Sequence, residues 1–365
     1  MINWADVRAK FPVTSKSVYL NTAAAGPLAE STAKAGALYY EQMRNDGDVH
    51  WDAWLARCEE VRRQVAKFIN AEPEEIGFTT NTSSGMNLIV DALEKHGEVI
   101  SCDLEFPVTT IPWMHRRVPV HFVKSVDGVV HADDVRAATN TRTGIISMSY
   151  VQFSNGFRSD LEELGSVKGN HALVVNASQA AGVFEIDVQR MKIDALCATG
   201  HKWMRSGYGS GFVYISKELQ TASRQRTIGW LSVLDPYGMR NDEVHLRHDA
   251  ASRAEIGCLH FAGVFALGAS IELMQSIGTE NIQARALELN QKLTSQLEGK
   301  VLSPLSEERF RSAETLVAAD DPAKLVAHLA QQNILVTEKP QGIRVSTDFF
   351  NNDEDIERLI RTLSV

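Results

Sequence analysis

The chain has 365 residues, of which 44% are hydrophobic, so it can bury a large core and form two packed domains. Its formal net charge of −9 argues against nucleic acid as a partner and favours a small metabolite. No basic region followed by an apolar run opens the chain, and no segment is apolar over the thickness of a bilayer, so we expect a soluble, cytoplasmic protein with no membrane partner.

The cysteine pattern gives no sign of a disulfide framework or a metal centre. The four cysteines are Cys58, Cys102, Cys197 and Cys258, and they show neither a CxxC motif nor Cys/His ligand spacing. We therefore expect reduced thiols and no bound metal.

Short β-rich runs alternate with helical patterns over the first two thirds of the chain. The runs are nearly continuous in apolar residues, which is typical of strands covered on both faces. Their alternation with helices predicts a mostly parallel sheet in an α/β fold. The predicted strands are 76–79, 98–102, 118–123, 144–149, 172–176, 195–199 and 211–215.

A second unit is expected toward the C-terminus. It opens on one long helical pattern, 261–297, which is expected to leave the main domain. We therefore predict a large domain over 16–260 and a smaller α+β domain over 261–365 that also takes in residues 1–15. The elements predicted after the long helix are strands 315–319, 334–337 and 342–345 and helices 322–332 and 353–363.

A polar segment, Asn81-Thr82-Ser83-Ser84-Gly85, follows the first of these strands and opens a helix. The hydroxyls of Thr82 and Ser83, with the free backbone N–H groups of a helix N-terminus, would bind a phosphate group. An ordinary helix cap would use the same residues and is compatible with this role.

An aromatic residue, Phe106, follows the strand predicted at 98–102, within Asp103-Leu104-Glu105-Phe106-Pro107. At the carboxyl edge of a strand, a flat side chain can stack on an aromatic ring of a ligand. The alternative is a residue that fills the core.

A lysine follows the apolar run 193–197 on a tight turn, Ala198-Thr199-Gly200-His201-Lys202. A strand end holds such an amine in place, and partial desolvation lowers its pKa, so Lys202 is suited to forming a Schiff base with a carbonyl group. A glycine-rich turn at 207–211 then leads into the next strand. We predict that Lys202 is the catalytic residue, the alternative being a solvated surface lysine.

Taken together, these segments resemble the class V aminotransferase-fold enzymes. The likeness is carried by GHKWM with the following glycine-rich turn and GFVYIS, and by the TSSGMNL segment at 82–88, which is similar to the family's TTEGINL. The EFP motif is similar to the kynureninase and isopenicillin N epimerase-like branch, and the family also contains the cysteine desulfurases. The resemblance implies a fold-type I enzyme that binds pyridoxal 5'-phosphate (PLP), acts on an α-amino acid and forms a homodimer.

The resemblance also implies roles for residues that bind the cofactor. The segment from Asn176 to Gly182 is similar to the family's D-x-x-Q/H-A-x-G stretch, which implies that Gln179 binds the phenolic oxygen and that Ser178 or His201 reaches the phosphate. Cys258 stands where the family has a threonine that contacts the phosphate of the neighbouring subunit. Because sulfur is a weak donor, a backbone N–H would have to replace that contact.

One residue is implied to bind the substrate. Arg344 lies in a segment similar to the family's R-x-S-x-x-x-Y-N-T-x-E-D-I motif, whose arginine binds the substrate α-carboxylate. A planar guanidinium suits a bidentate carboxylate. A surface salt bridge is the alternative.

The chain departs from the family at Asn176, where an aspartate is expected. That aspartate keeps the pyridine nitrogen protonated, whereas an amide can donate an N–H to an unprotonated nitrogen. The resulting weaker electron sink should slow transamination, whereas β-elimination tolerates a neutral ring because a leaving group departs. We therefore predict a lyase that cleaves a Cβ–heteroatom bond in the manner of a C–S lyase.

Other functions stay open at this point. An aminotransferase or an amino-acid epimerase or racemase of class V is one alternative. A protein that binds PLP without turnover, or a variant whose aspartate was deliberately replaced to trap an intermediate, is another. Cysteine desulfurases carry a catalytic cysteine shortly before the carboxylate-binding arginine, and none lies between Cys258 and Arg344, so persulfide chemistry by that route is not expected.

Overall fold

A computed structural model describes residues 2–297 and 299–363 of the chain. The helices of this part are α1 (Trp4–Ala9), α2 (Glu30–Asp46), α3 (Trp51–Phe68), α4 (Thr82–Leu93), α5 (Ile111–His115), α6 (Ala132–Ala138), α7 (Leu161–Val167), α8 (Lys217–Ala222), α9 (Ala250–Ala254), α10 (Phe261–Ile277), α11 (Thr279–Ser295), α12 (Pro322–Gln331) and α13 (Asp353–Leu363). The strands are β1 (Val18–Tyr19), β2 (Ile76–Phe78), β3 (Glu98–Cys102), β4 (Val120–Val123), β5 (Thr143–Ser149), β6 (Ala172–Asn176), β7 (Ala195–Thr199), β8 (Gly211–Ile215), β9 (Glu314–Ala318), β10 (Ile334–Leu335), β11 (Thr337–Lys339) and β12 (Gly342–Ser346).

A seven-stranded sheet forms the centre of the molecule, in the order β2-β8-β7-β6-β5-β3-β4. Strands β7, β6, β5, β3 and β4 run parallel, while β8 is antiparallel to both of its neighbours. Strands β7 and β8 are buried at every residue, as expected for apolar strands covered by helices on both faces. The predicted mostly parallel α/β fold is confirmed.

A smaller antiparallel sheet, β11-β12-β9, lies in the C-terminal part of the chain. The single strand predicted at 334–337 is wrong, because Val336 separates two short strands that join different sheets. Strand β10 pairs in parallel with β1 near the N-terminus, and β11 pairs with β12. The local sequence carries no signal for a partner more than 300 residues away.

The long helix predicted at 261–297 is also wrong as a single element. It breaks at Gly278, whose φ of 90° ends α10, and α11 starts at the next residue with a bend of 80°. Glycine adopts this conformation without the strain that a Cβ would impose. No single helix among the described residues is long and apolar enough to cross a membrane, although the bent pair α10 and α11 passes that test on length and composition together.

The N-terminal segment packs on the C-terminal part of the chain. The Phe11 ring lies 4.8 Å from the Phe350 ring and 5.6 Å from the Phe349 ring, and the Arg8 guanidinium pairs with the Asp355 carboxylate at 2.7 Å. The two-domain division at residue 260 stays a prediction.

The carboxyl ends of β3, β5, β6 and β7 meet at one edge of the central sheet, because these strands are parallel. Ser149 and Asn176 are the last residues of β5 and β6, and the turns after β3 and β7 carry Phe106 and Lys202. Open α/β sheets bind ligands at this edge. The fold therefore places the predicted site residues together.

Candidate active site

One cavity at the carboxyl edge of the central sheet brings together most of the residues predicted to form the site. Its walls include six of them: Thr82, Phe106, Asn176, Ser178, Gln179 and Lys202. Ser149, Val151 and Phe153 complete the lining. The side chains come from five separate elements, so the cavity exists only in the folded chain.

Lys202 lies in this cavity on the turn that follows β7. Burial lowers the pKa of its amine to about 8, with Glu314 opposing this shift and Arg344 and Lys339 adding to it. An amine with that pKa is deprotonated far more often at neutral pH than an ordinary lysine with a pKa of 10.5, and only the neutral form attacks a carbonyl. Its Nζ lies 5.8 Å from the centre of the Phe106 ring.

Two hydroxyls face each other at the N-terminus of α4. Thr82 is the first residue of this 12-residue helix, and its Oγ1 lies 2.5 Å from Ser178 Oγ. Asn81 caps the helix by accepting the backbone N–H of Ser84 at 3.0 Å. Ser83 is exposed, and its side chain does not line the cavity. The structure therefore assembles an anion site from Thr82 and Ser178 and leaves Ser83 at its rim.

Asn176 ends β6 with its side chain buried in the cavity wall. Its Nδ2 donates to Thr109 Oγ1 at 3.1 Å, and its Oδ1 accepts the backbone N–H of Ser178 at 3.1 Å. An amide nitrogen has two hydrogens, so one remains for a ligand.

The two other residues implied to contact the cofactor differ in position. Gln179 lines the cavity, where its Oε1 accepts the Trp203 indole N–H at 2.8 Å and its Nε2 donates to the Ala23 carbonyl at 3.0 Å. His201 does not line the cavity; its ring stacks on Tyr208 at 4.4 Å. Burial and the nearby Lys202 lower the pKa of His201 to about 4, so its imidazole is neutral at physiological pH.

Arg344 lies on β12 and is buried. It therefore does not form the surface salt bridge that was the alternative role for this residue. Its Nη1 lies 3.4 Å from Glu314 Oε2, and the Glu314 side chain is 1% exposed. Neither Glu314 oxygen has a hydrogen-bond partner within the described residues, and burial raises the pKa of this carboxyl. The guanidinium predicted to bind a substrate carboxylate thus faces a carboxylate of the protein.

Cys258 lies outside this cavity. It is exposed and lines a second, larger cleft together with Thr80, Ser84 and His260. Arg253, in the same sequence segment, donates to the backbone carbonyls of Gln220 and Ser223. In one subunit, therefore, the structure does not bring Cys258 to the Lys202 cavity.

The residues present fit PLP. The facing hydroxyls of Thr82 and Ser178 match a phosphate, the Phe106 ring offers a face for the pyridine, Asn176 has a free N–H, and Lys202 has a lowered pKa. Among the residues the structure describes, no group of three or more His, Cys, Asp and Glu side chains could hold a metal ion.

Sequence reasoning missed several residues at the site. Glu314 and Lys339 lie on β9 and β11 of the smaller sheet, and the Lys339 Nζ lies 4.5 Å from the Phe153 ring centre. Burial and Arg344 lower the pKa of Lys339 to about 8. Phe153 meets Phe106 edge to face at 5.0 Å. A charged residue five positions before Arg344 was a signal for Lys339, but only tertiary packing reveals Glu314.

Comparison with known proteins agrees with this geometry. The family profile described as Aminotransferase class-V matches residues 18–359. A probable cysteine desulfurase of Methanothermobacter thermautotrophicus is 27% identical, over 98% of this chain and 96% of that protein. Two solved structures share the fold. The apo cysteine desulfurase of Thermococcus onnurineus NA1 has a TM-score of 0.90, is 24% identical and covers 100% of this chain and 98% of its own. The cystine C–S lyase C-DES, in complex with its product cysteine persulfide, has a TM-score of 0.86 and is 20% identical. The match covers 97% of this chain and 99% of that chain.

Proposed function

Because the chain belongs to the class-V aminotransferase family, we propose that it is a PLP-dependent lyase that cleaves the Cβ–S bond of a cysteine-derived α-amino acid. The observation that carries the proposal is the cavity in which Lys202, with its lowered pKa, faces Asn176 and the hydroxyl pair of Thr82 and Ser178. Similarity to a probable cysteine desulfurase and to a cystine C–S lyase supports the choice of sulfur as the leaving atom.

Bound PLP supplies an electron-withdrawing ring that stabilises negative charge at the substrate Cα. The Thr82 and Ser178 hydroxyls would hold its phosphate, and the Phe106 ring would cover one face of the pyridine. Arg344 would bind the substrate α-carboxylate. The Nζ of Lys202 is the base that takes the Cα proton, because it is the titratable group that lines the cavity and its lowered pKa suits a base at neutral pH.

Asn176 favours elimination over the alternative reactions. Transamination depends most on a strong electron sink, which a neutral amide at the ring nitrogen does not support. In elimination, the electron pair at Cα forms a Cα–Cβ double bond while the Cβ–S bond breaks, and the leaving sulfur takes the electrons of that bond. Pyruvate, ammonia and cysteine persulfide should therefore form from cystine. An aminotransferase would need a second keto acid to turn over, and an epimerase would invert Cα and form none of these products.

The cysteines support release of the sulfur product rather than its transfer to the protein. Cys58, Cys102 and Cys197 are buried, and burial raises the pKa of each thiol. Cys258 is exposed but lines the other cleft. Among the described residues of one subunit, no cysteine lines that subunit's own Lys202 cavity.

Borohydride reduction of the PLP-loaded protein tests the proposal. The cofactor should become covalently fixed to Lys202, because borohydride reduces an imine to a stable amine. Peptide mapping should find the adduct in residues 198–204. Lys339 is the alternative lysine to which PLP could be attached, since its pKa is also lowered to about 8 and it lies beside Phe153. An adduct on Lys339, or none after confirmed loading, contradicts the assignment.

The proposal includes a homodimer whose active sites lie near the subunit interface. Exposed apolar side chains support it: Trp230, Leu234, Tyr237 and Met239 lie in one segment after α8, and such clusters mark contact surfaces. In a dimer, the exposed Cys258 segment could approach the partner's phosphate site. Light scattering of the PLP-loaded protein should give a particle of twice the 40.3 kDa chain mass. A 40.3 kDa particle would rule the dimer out.

A further inference from the structure

The amide of Asn176 has a defined orientation in the structure. Its Oδ1 accepts the backbone N–H of Ser178, which can only donate, so the oxygen is fixed on that side. The NH2 group is therefore on the other side, where one hydrogen goes to Thr109 Oγ1 at 3.1 Å. The second hydrogen is available to a ligand in the cavity that Asn176 lines.

The half-buried Glu105 has a carboxylate whose charged form is stabilised by several donors, the Thr109 hydroxyl among them. Glu105 accepts the backbone N–H of Ser149 and the side-chain N–H of Gln152, each at 2.6 Å, and it also binds the Ser149 hydroxyl. Burial raises the pKa of Glu105, while these donors and the Thr109 hydroxyl oppose the shift by stabilising the charged form.

The hydroxyl hydrogen of Thr109 links the side chains of Glu105 and Asn176. A threonine hydroxyl carries one hydrogen, and when it points at the Glu105 carboxylate, the Thr109 oxygen can only accept from Asn176. Glu105 therefore fixes the amide orientation from one side, as the Ser178 N–H does from the other. Reversing the amide would set the NH2 group against the Ser178 N–H, which is also a donor.

We propose that Glu105 and Thr109 are positioning residues that hold Asn176 as a hydrogen-bond donor toward the PLP ring nitrogen, which is thereby bound unprotonated. This inference rests on the proposed cofactor site. It predicts that aspartate at position 176 would be unfavourable in this chain. An aspartate would add a second carboxylate next to Thr109, on the side opposite Glu105. The single hydroxyl hydrogen of Thr109 can be donated to only one of the two carboxylates.

The double variant Glu105→Gln/Asn176→Asp should relieve this conflict. The glutamine amide introduced at position 105 can donate to Thr109 Oγ1, which frees the Thr109 hydrogen for the new aspartate. A charge-assisted contact to a protonated ring nitrogen then becomes available. The single variant Asn176→Asp keeps both carboxylates around one hydroxyl, so we expect it to have a lower melting temperature than the double variant.

The test loads wild-type protein and each variant with PLP labelled with ¹⁵N at the ring nitrogen. The ¹⁵N chemical shift should have the value of an unprotonated pyridine in the wild type and of a pyridinium in the double variant, with Asn176→Asp alone lying between them. Thr109→Ser keeps the hydroxyl and should match the wild-type shift, whereas Thr109→Val should change it. A protonated nitrogen in the wild type, or the same shift in Asn176→Asp with and without Glu105→Gln, overturns the inference.

This experiment separates the inference from the proposed function. Failure of labelled PLP to form a borohydride-stable adduct with Lys202 would reject the cofactor site itself. A covalent adduct whose ¹⁵N shift is the same in wild type, Thr109→Val and the double variant would reject only the role of Glu105 and Thr109. A purely structural role for these residues would lower the melting temperature without moving the shift.

Discussion

The Lys202→Ala variant is expected to form pyruvate from cystine about 10²–10⁴-fold more slowly than the wild type, the usual loss when a positioned base is removed. It should also lose the borohydride-stable adduct, because the imine-forming amine is gone. The variant should fold normally. Burial lowers the pKa of Lys202, which means that its protonated form destabilises the folded state, so removal of the amine should not lower the melting temperature.

Lys339→Ala is the matched control for this prediction. Lys339 is the other lysine near the cavity whose pKa is lowered to about 8, and its Nζ contacts the Phe153 ring. This variant should keep the adduct on Lys202. If Lys202→Ala retained both the adduct and wild-type turnover, Lys202 would not be the catalytic residue.

The central sheet could be predicted from the sequence because its strands are buried on both faces. Strands β3, β6, β7 and β8 have the predicted bounds, since a continuous apolar run leaves little choice of where a strand lies. The residues immediately after such strands are then placed at one edge of the sheet. Phe106 and Lys202 were found in this way, whereas Asn176, the last residue of β6, was identified from the family resemblance.

Neighbours in sequence did not always become neighbours in the site. His201 precedes Lys202, but it stacks on Tyr208 outside the cavity, because successive side chains on a turn point in different directions. Ser83 follows Thr82, but successive residues at the start of a helix point about 100° apart, and it is exposed. The sequence therefore indicates which turn or helix start contributes to the cavity, but it does not indicate which of the residues there have side chains in it.

The partner of Arg344 could not be predicted, because it depends on how two strands pair. Strand β9 lies antiparallel to β12, with Glu314 opposite Ser346 and Leu316 opposite Arg344. The diagonal contact between Glu314 and Arg344 follows from this register alone. No local pattern in either strand indicates the register.

Replacement of Arg344 by leucine is expected to change both binding and stability. Loss of a charge-assisted hydrogen bond to the substrate carboxylate, worth about 1.5–3 kcal/mol, should raise KM by about one to two orders of magnitude. Because Glu314 would be left buried without its partner at 3.4 Å, the free energy of unfolding should also fall by about 3–5 kcal/mol. Steady-state kinetics and urea unfolding measure the two effects.

The double variant Arg344→Leu/Glu314→Leu separates these two roles. Removing both members of a buried ion pair and filling the space with apolar side chains is often neutral for stability, so the free energy of unfolding should recover most of its loss. The KM should stay high, because no cation has been returned to bind the substrate carboxylate. A double variant that regained stability and also a wild-type KM would show that Arg344 serves the fold alone, and that the substrate carboxylate binds elsewhere in the cavity.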